Sequence, residues 1–212
     1  GGQSGDRGRI SQGDAFVNVV NTTKTGDGVY VHESEPVSGV IAPGKAELKV
    51  CTKNRMAISR NHSATHLLHK ALKEILGTHV AQAGSMVSNT HLRFDFSHFE
   101  AMTTEQIKEA EKKVNDAILA CMPIVVKELP IDEAKKLGAT AQFGEKYGDV
   151  VRVVSMGDYS VEFCGGTHLK NTSECGLFKI TSETGVAAGV RRIEAVTGEG
   201  VLNLINTYEG IL

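Results

Sequence analysis

The apolar positions divide the chain into two regimes. From residue 15 to about residue 52 they come in short alternating runs, at 16–20, 29–31, 37–41 and 46–50. Turn signals separate these runs: Thr25-Gly26-Asp27-Gly28, Pro36, and Ala42-Pro43-Gly44-Lys45. Short strands this closely spaced predict a small antiparallel barrel or sandwich. From about Met56 the period lengthens. Leu67, Leu68, Ala71, Leu72, Ile75 and Leu76 share one side of a helical wheel at ~100° per residue, predicting a helix capped by Ser59 or Asn61 and ended by Gly77. Strands are expected within 78–87 and over 92–96. Thr103 and Gln106 form a capping box before an amphipathic helix with Ile107, Ala110, Val114, Ala117, Ile118 and Cys121 on its apolar face; Pro123 ends it. Next come a strand over 124–129, a short helix from Ile131 closed by Gly138, a hairpin of 150–154 with 159–164, and strands over 177–181 and 190–196. A last helix begins at Val201. The expected class is α+β: a small N-terminal antiparallel β-barrel over 1–56 that lacks its first strand, then helices packed on a mostly antiparallel sheet over 57–200, and over 201–212 the start of a helix cut short.

Composition narrows the class without naming a function. Of 212 residues, 41% are hydrophobic and 23% charged, the balance of an ordinary globular protein. A formal net charge of −2 argues against a polycation that coats nucleic acid, so any RNA contact falls to local basic residues such as Arg93, Lys170, Arg191 and Arg192. Solvated or ion-paired charge is the plainer account of the same four residues. No apolar run approaches the ~20 residues of a membrane helix, and no signal-peptide pattern opens the chain. Cys51, Cys121, Cys164 and Cys175 are widely spaced with no Cys-x-x-Cys pair, which reads as reduced thiols in the cytoplasm, with Cys51 and Cys121 expected to be buried. The opening Gly1-Gly2-Gln3-Ser4-Gly5-Asp6-Arg7-Gly8 is a glycine-rich loop with nothing before it, as in a piece of a longer chain. It lacks the Gly-Lys-Ser/Thr ending of a phosphate-binding loop and carries no nucleotide expectation.

Two clusters about a hundred positions apart hold the candidate chemistry. His62 and His66 are spaced i, i+4, one turn apart on one helix face. Cys164 and His168 follow an expected strand through the loosened turn Gly165-Gly166. Three imidazoles and a thiol are the donor set of a tetrahedral zinc ion. A lone His pair of this spacing is more often two surface imidazoles. The wheel places both histidines, with His69 as a spare, on the edge opposite the apolar side, facing solvent, a cleft or a ligand. Glu162 lies two residues before Cys164, on the same strand face, and is a candidate for support of the metal site or proton transfer. A zinc protease of the His-Glu-x-x-His kind needs a glutamate where this chain has Ser63. Asp95 is better explained as structural.

The chain closely resembles the editing region of alanyl-tRNA synthetase. The resemblance is carried by the opening glycine-rich loop and the runs Arg60-Asn61-His62-Ser63-Ala64-Thr65-His66-Leu67-Leu68-His69, 92–98, 164–169, 176–178 and 189–194. Free-standing editing proteins and threonyl-tRNA synthetase share the two His/Cys motifs, whereas the longer runs favour a piece of the full synthetase. The resemblance implies hydrolysis of the ester linking serine or glycine to the 3′ end of tRNA(Ala). It implies zinc on His62, His66, Cys164 and His168, a pocket containing Thr65, Gln82 and Ser85, and the rest of the synthetase as partner. Such a site answers a physical need. Rejecting an added hydroxyl by fit alone is worth only roughly 10²-fold, and a second pocket that hydrogen-bonds that hydroxyl inverts the test. Thr65, beside His66, suits the role; helix back-bonding to a carbonyl is its ordinary alternative. Gln82 suits the substrate amine or ester, against the plainer reading of a polar strand residue. The non-enzymatic alternative is a zinc-stabilised RNA-binding module, because four protein ligands close the metal's shell.

Overall fold

The structure, a computed structural model, describes residues 2–138 and 148–210; Gly1 of the opening loop and positions 211–212 of the terminal helix lie outside them. The N-terminal part is one antiparallel sheet of β1 (Gly8–Gln12), β2 (Ala15–Lys24), β3 (Tyr30–Ser38) and β4 (Glu47–Val50), in the order β3-β2-β1-β4. Among the described residues the outer strands β3 and β4 do not pair, so no closed barrel forms. β1 escaped the hydrophobic pattern because Ile10 is the sole large apolar residue in Gly-Arg-Ile-Ser-Gln. The run at 37–41 is not a separate strand. β3 continues through Pro36 to Ser38, which an edge strand tolerates because its outer N–H groups need no partner. It ends at Gly39, whose φ of 65° is left-handed.

Helix α1 (Thr52–Leu76) begins well before Ser59, with Cys51 at its N-cap. Ser59 and Asn61 are not caps. They are buried inside the helix and bond sideways: Ser59 Oγ donates to Thr167 Oγ1 at 3.3 Å, and Asn61 Nδ2 to the Ser88 carbonyl at 2.9 Å. Polar residues can occupy this buried stretch because neighbouring elements supply their hydrogen bonds. α1 is therefore covered on both sides. Its apolar side packs on a second sheet of β5 (Gln82–Val87), β6 (Leu92–Ser97), β10 (Phe178–Ala187) and β11 (Val190–Thr197), in the order β10-β11-β6-β5, and on α2 (Thr104–Leu119). Leu67, Leu68, Leu72, Phe94, Phe96, Val114 and Ile193 form this core. Each such side chain contributes about 1.5–3 kcal/mol on full burial, and together they fix α1 against the sheet.

The capping box at α2 is present: Thr103 Oγ1 accepts from Gln106 N at 3.2 Å, and Gln106 Oε1 from Thr103 N at 2.9 Å. A third antiparallel sheet contains β7 (Ile124–Pro130), β8 (Val150–Met156) and β9 (Ser160–Phe163), in that order. The short α3 (Ile131–Lys136) follows β7, and α4 (Glu199–Glu209) follows β11. The class is α+β with mostly antiparallel sheets. Cys51 and Cys121 are exposed, against expectation, while Cys164 and Cys175 are buried. Both exposed thiols sit at junctions: Cys51 leads into α1, and Cys121 has a left-handed φ of 51° where the chain reverses after α2. No described helix is long and apolar enough to cross a membrane.

Candidate functional site

The end of β9 runs into the polar edge of α1, and there the two sequence clusters meet. His62, His66, Cys164 and His168 place one ligand atom each within 4.8 Å of one another. Cys164 Sγ lies 3.3 Å from His62 Nε2 and 3.3 Å from His168 Nε2. Donors around tetrahedral zinc stand roughly 3.3–3.8 Å apart, given bonds of ~2.0–2.3 Å; the two Cys164 separations match this, and the wider pairs need only draw together for the residues present to fit a zinc ion.

The outer nitrogens are also provided for. His62 Nδ1 faces Gln3 Oε1 at 2.7 Å, His168 Nδ1 faces Ser63 Oγ at 3.2 Å, and His66 Nδ1 faces Glu162 Oε2 at 3.0 Å. The last contact pairs a buried imidazole with a buried carboxylate. Outer partners of this kind fix the ring orientation and tautomer of a metal-binding imidazole. Glu162 turns its other oxygen to His69, with Nδ1 to Oε1 at 2.9 Å.

Gln3 and Arg152 are site residues that the sequence reading missed. Gln3 Oε1 also accepts from the Thr167 amide at 2.9 Å. It reaches the site because Gly2 lies against β5, where an added Cβ would stand 1.9 Å from the Ser85 carbonyl oxygen, and Val87 N donates to Gly2 O at 2.8 Å. The signal was the glycine run itself, which marks close backbone approach without saying to what. Arg152 Nη1 donates to the carbonyls of Cys164 and Gly166 at 2.6 and 2.7 Å, holding the ligand loop. No local pattern announces an arginine of that kind.

The electrostatics follow from burial and mutual contact. Burial alone would raise the Cys164 thiol, but hydrogen bonds from His168, His62 and His66 override it and hold it down at about 2, as a thiolate. Burial disfavours a charged His66, yet facing Glu162 and Cys164 raises it to about 10. His168 is lowered to about 3, chiefly by burial. Burial opposes the charge on Glu162 too, but His66 and His69 hold the carboxyl well below its usual range. Without metal, the centre thus balances a thiolate and a carboxylate against imidazolium. Metal binding exchanges those protons for the ion.

A cleft of about 360 Å³ opens beside the cluster and brings Thr65, Gln82 and Ser85 alongside His62, His66 and Cys164. Thr65 is buried, and its hydroxyl donates to the Asn61 carbonyl at 2.8 Å, so back-bonding is present. The four basic residues stand outside the cleft lining. Arg192 makes a two-pronged pair with Asp95 at 2.7 and 2.8 Å, Arg191 another with Glu183 at 2.6 and 2.7 Å, and Arg93 lies 3.7 Å from Asp95. Lys170 is exposed. Asp95 is structural, as its pairing shows.

Comparison with known proteins agrees with this arrangement. The family described as "Threonyl and Alanyl tRNA synthetase second additional domain" matches residues 151–194, the span from β8 to β11 that includes Cys164 and His168. The alanine–tRNA ligases of Acetivibrio thermocellus and Clostridioides difficile are each 55% identical over 213 aligned residues, and that of Bacillus subtilis 50%; all three alignments cover 100% of this chain. The chain is similar from end to end to one stretch of these alanine–tRNA ligases. It spans about a quarter of those relatives' length, 24% in each case. The synthetase family match does not extend to α1. The histidines of that helix lie within the stretch shared with the alanine–tRNA ligases, and they meet Cys164 in space.

Proposed function

We propose that this chain hydrolyses the ester of seryl- and glycyl-tRNA(Ala), with the acceptor end entering the cleft beside His62, His66, Cys164 and His168. The carrying observation is that a four-residue donor set suited to zinc borders, through His62, His66 and Cys164, a cleft that also holds the buried Thr65. When bound, zinc would supply a Lewis-acid centre that orients and polarises the ester. The chain's own residues do the selecting. Thr65 gives its proton to Asn61 O, so it meets the serine hydroxyl as an acceptor. The methyl of alanine leaves that lone pair unpaired in a dry pocket, at about 1–3 kcal/mol. Gln82 and Ser85 are assigned to the substrate's amine and ester. Both oxygens of Glu162 are turned to imidazoles, which makes it a positioning group for His66.

A second reading, a zinc-stabilised tRNA-binding module, is favoured by one feature: the four ligands fill a tetrahedral shell. Single-turnover hydrolysis of seryl-, glycyl- and alanyl-tRNA(Ala) by wild type and Thr65→Val separates the readings. The deacylase reading expects seryl-tRNA cleavage to fall roughly ten- to a hundredfold in the variant, with glycyl-tRNA less affected. No hydrolysis by zinc-loaded wild type, with tRNA still bound, would leave the binding module. A uniform loss on all substrates would remove Thr65 from hydroxyl recognition.

A further inference from the structure

We propose that His69 is a positioning residue of the metal centre, acting on His66 through Glu162. This rests on the reading of the four-residue cluster as a zinc site. His69 lies three residues beyond His66 on the same edge of α1, but it is not a member of the donor cluster. It is 5% exposed and its ring packs 5.2 Å from that of Phe94. Its Nε2 is buried and has no hydrogen-bond partner. An orphaned polar atom in such a place is a cost that leucine or methionine would avoid, so packing alone does not account for an imidazole here. What the ring does supply is Nδ1, 2.9 Å from Glu162 Oε1.

That bond has a geometric consequence. Glu162 holds both imidazoles at once: Oε2 lies 3.0 Å from His66 Nδ1, and Oε1 is hydrogen-bonded to His69 Nδ1 at 2.9 Å. The second contact sets the carboxylate plane, which in turn presents Oε2 to His66 and leaves the other nitrogen of His66 for the cluster. Remove the donor and the carboxylate is free to turn away. His66 then loses its outer partner and its fixed orientation.

The test is zinc affinity, measured by chelator competition on the whole chain for wild type, His69→Leu and His69→Asn. Leucine keeps the apolar bulk without a donor; the asparagine amide restores an N–H near the position of Nδ1. His69→Leu should bind zinc about 10- to 100-fold more weakly, and His69→Asn should recover most of that loss. Circular dichroism establishes folding, and His69→Met takes the place of leucine if that variant does not fold. Equal affinities in the leucine and asparagine variants, whether both unchanged or both weakened, would overturn the proposal. Wild type that binds no zinc would instead overturn the metal reading on which it rests.

Discussion

Replacing Gly166 by alanine should expel His62 from the proposed metal site, while the same change at Gly165 should do nothing. An added Cβ at Gly166 would stand 2.0 Å from His62 Cε1, 2.4 Å from its Nδ1 and 2.8 Å from Gln3 Oε1. Ordinary carbon contacts lie at about 3.5–4.0 Å, so the ring must retreat by roughly 1.5 Å. Metal–ligand distances tolerate only about 0.2 Å. At Gly165 an added Cβ meets nothing within 4 Å, and neither glycine has a left-handed φ, so the pair differs in contact and not in backbone strain. Overpacking of this kind costs about 1–3 kcal/mol. Here that cost falls on the metal-bound state, because half-buried His62 can swing into the cleft when no ion holds it. Zinc affinity should then drop roughly 5- to 150-fold in Gly166→Ala, with the urea midpoint of the metal-free protein little changed. Chelator competition on the two variants and wild type measures this. Equal affinity in Gly166→Ala and Gly165→Ala would refute the close approach of this loop to His62, and with it the placement of the second cluster.

Thiol accessibility should follow burial: a thiol reagent applied to zinc-loaded protein should modify exposed Cys51 and Cys121 quickly, and chelation should add Cys164 while buried Cys175 stays protected. A third fast thiol before chelation would exclude Cys164 as a ligand. Burial raises Cys175 from 9.0 to about 12, so the folded chain keeps a proton that the unfolded chain releases. The resulting stability is complete below about pH 9 and is lost at up to about 1.4 kcal/mol per pH unit as pH rises toward 12. Urea midpoints at about pH 8 and about pH 10 should show a shallower alkaline loss in Cys175→Ala than in wild type. Binding to tRNA should weaken only gently with salt, because Arg191, Arg192 and Arg93 are already engaged by carboxylates and Lys170 is the open charge among the four. A slope of many phosphate contacts would place the RNA on other basic residues.

What could be read from the sequence was set by local pattern. The α2 cap, the strand Leu92-Arg93-Phe94-Asp95-Phe96 and the hairpin after Val150 each carry their signal within a few residues, and each is present. The start of α1 was misplaced because Ser59 and Asn61 look like caps, while the partners that make them interior residues, Thr167 and Ser88, lie far along the chain. β3 was split because Pro36 reads as a turn unless its edge position is known. At the site, the i, i+4 spacing and the Cys-x-x-x-His turn proposed four donors that do converge. Nothing local could reveal that Gln3 docks from 59 residues away, or that β9 is the element that meets the His66 and His69 edge of α1.

The edge of α1 expected to face solvent, a cleft or a ligand lines the cleft and carries two members of the donor cluster. A polar stripe on a helix ordinarily marks the side that faces water, yet Ser63, Thr65, His66 and His69 are all buried. Burying these polar side chains is tolerable only if each has somewhere to bond. Ser63 meets His168, Thr65 bonds its own helix, and His66 and His69 share Glu162. A stripe that is polar yet largely buried suits a metal centre, because few waters compete for its donors, while half-buried His62 stays open to the cleft. The fold supplies that condition from three sides: the opening loop through Gln3, α1 through its histidines, and the β9 loop through Cys164 and His168. No one of these segments alone makes a site.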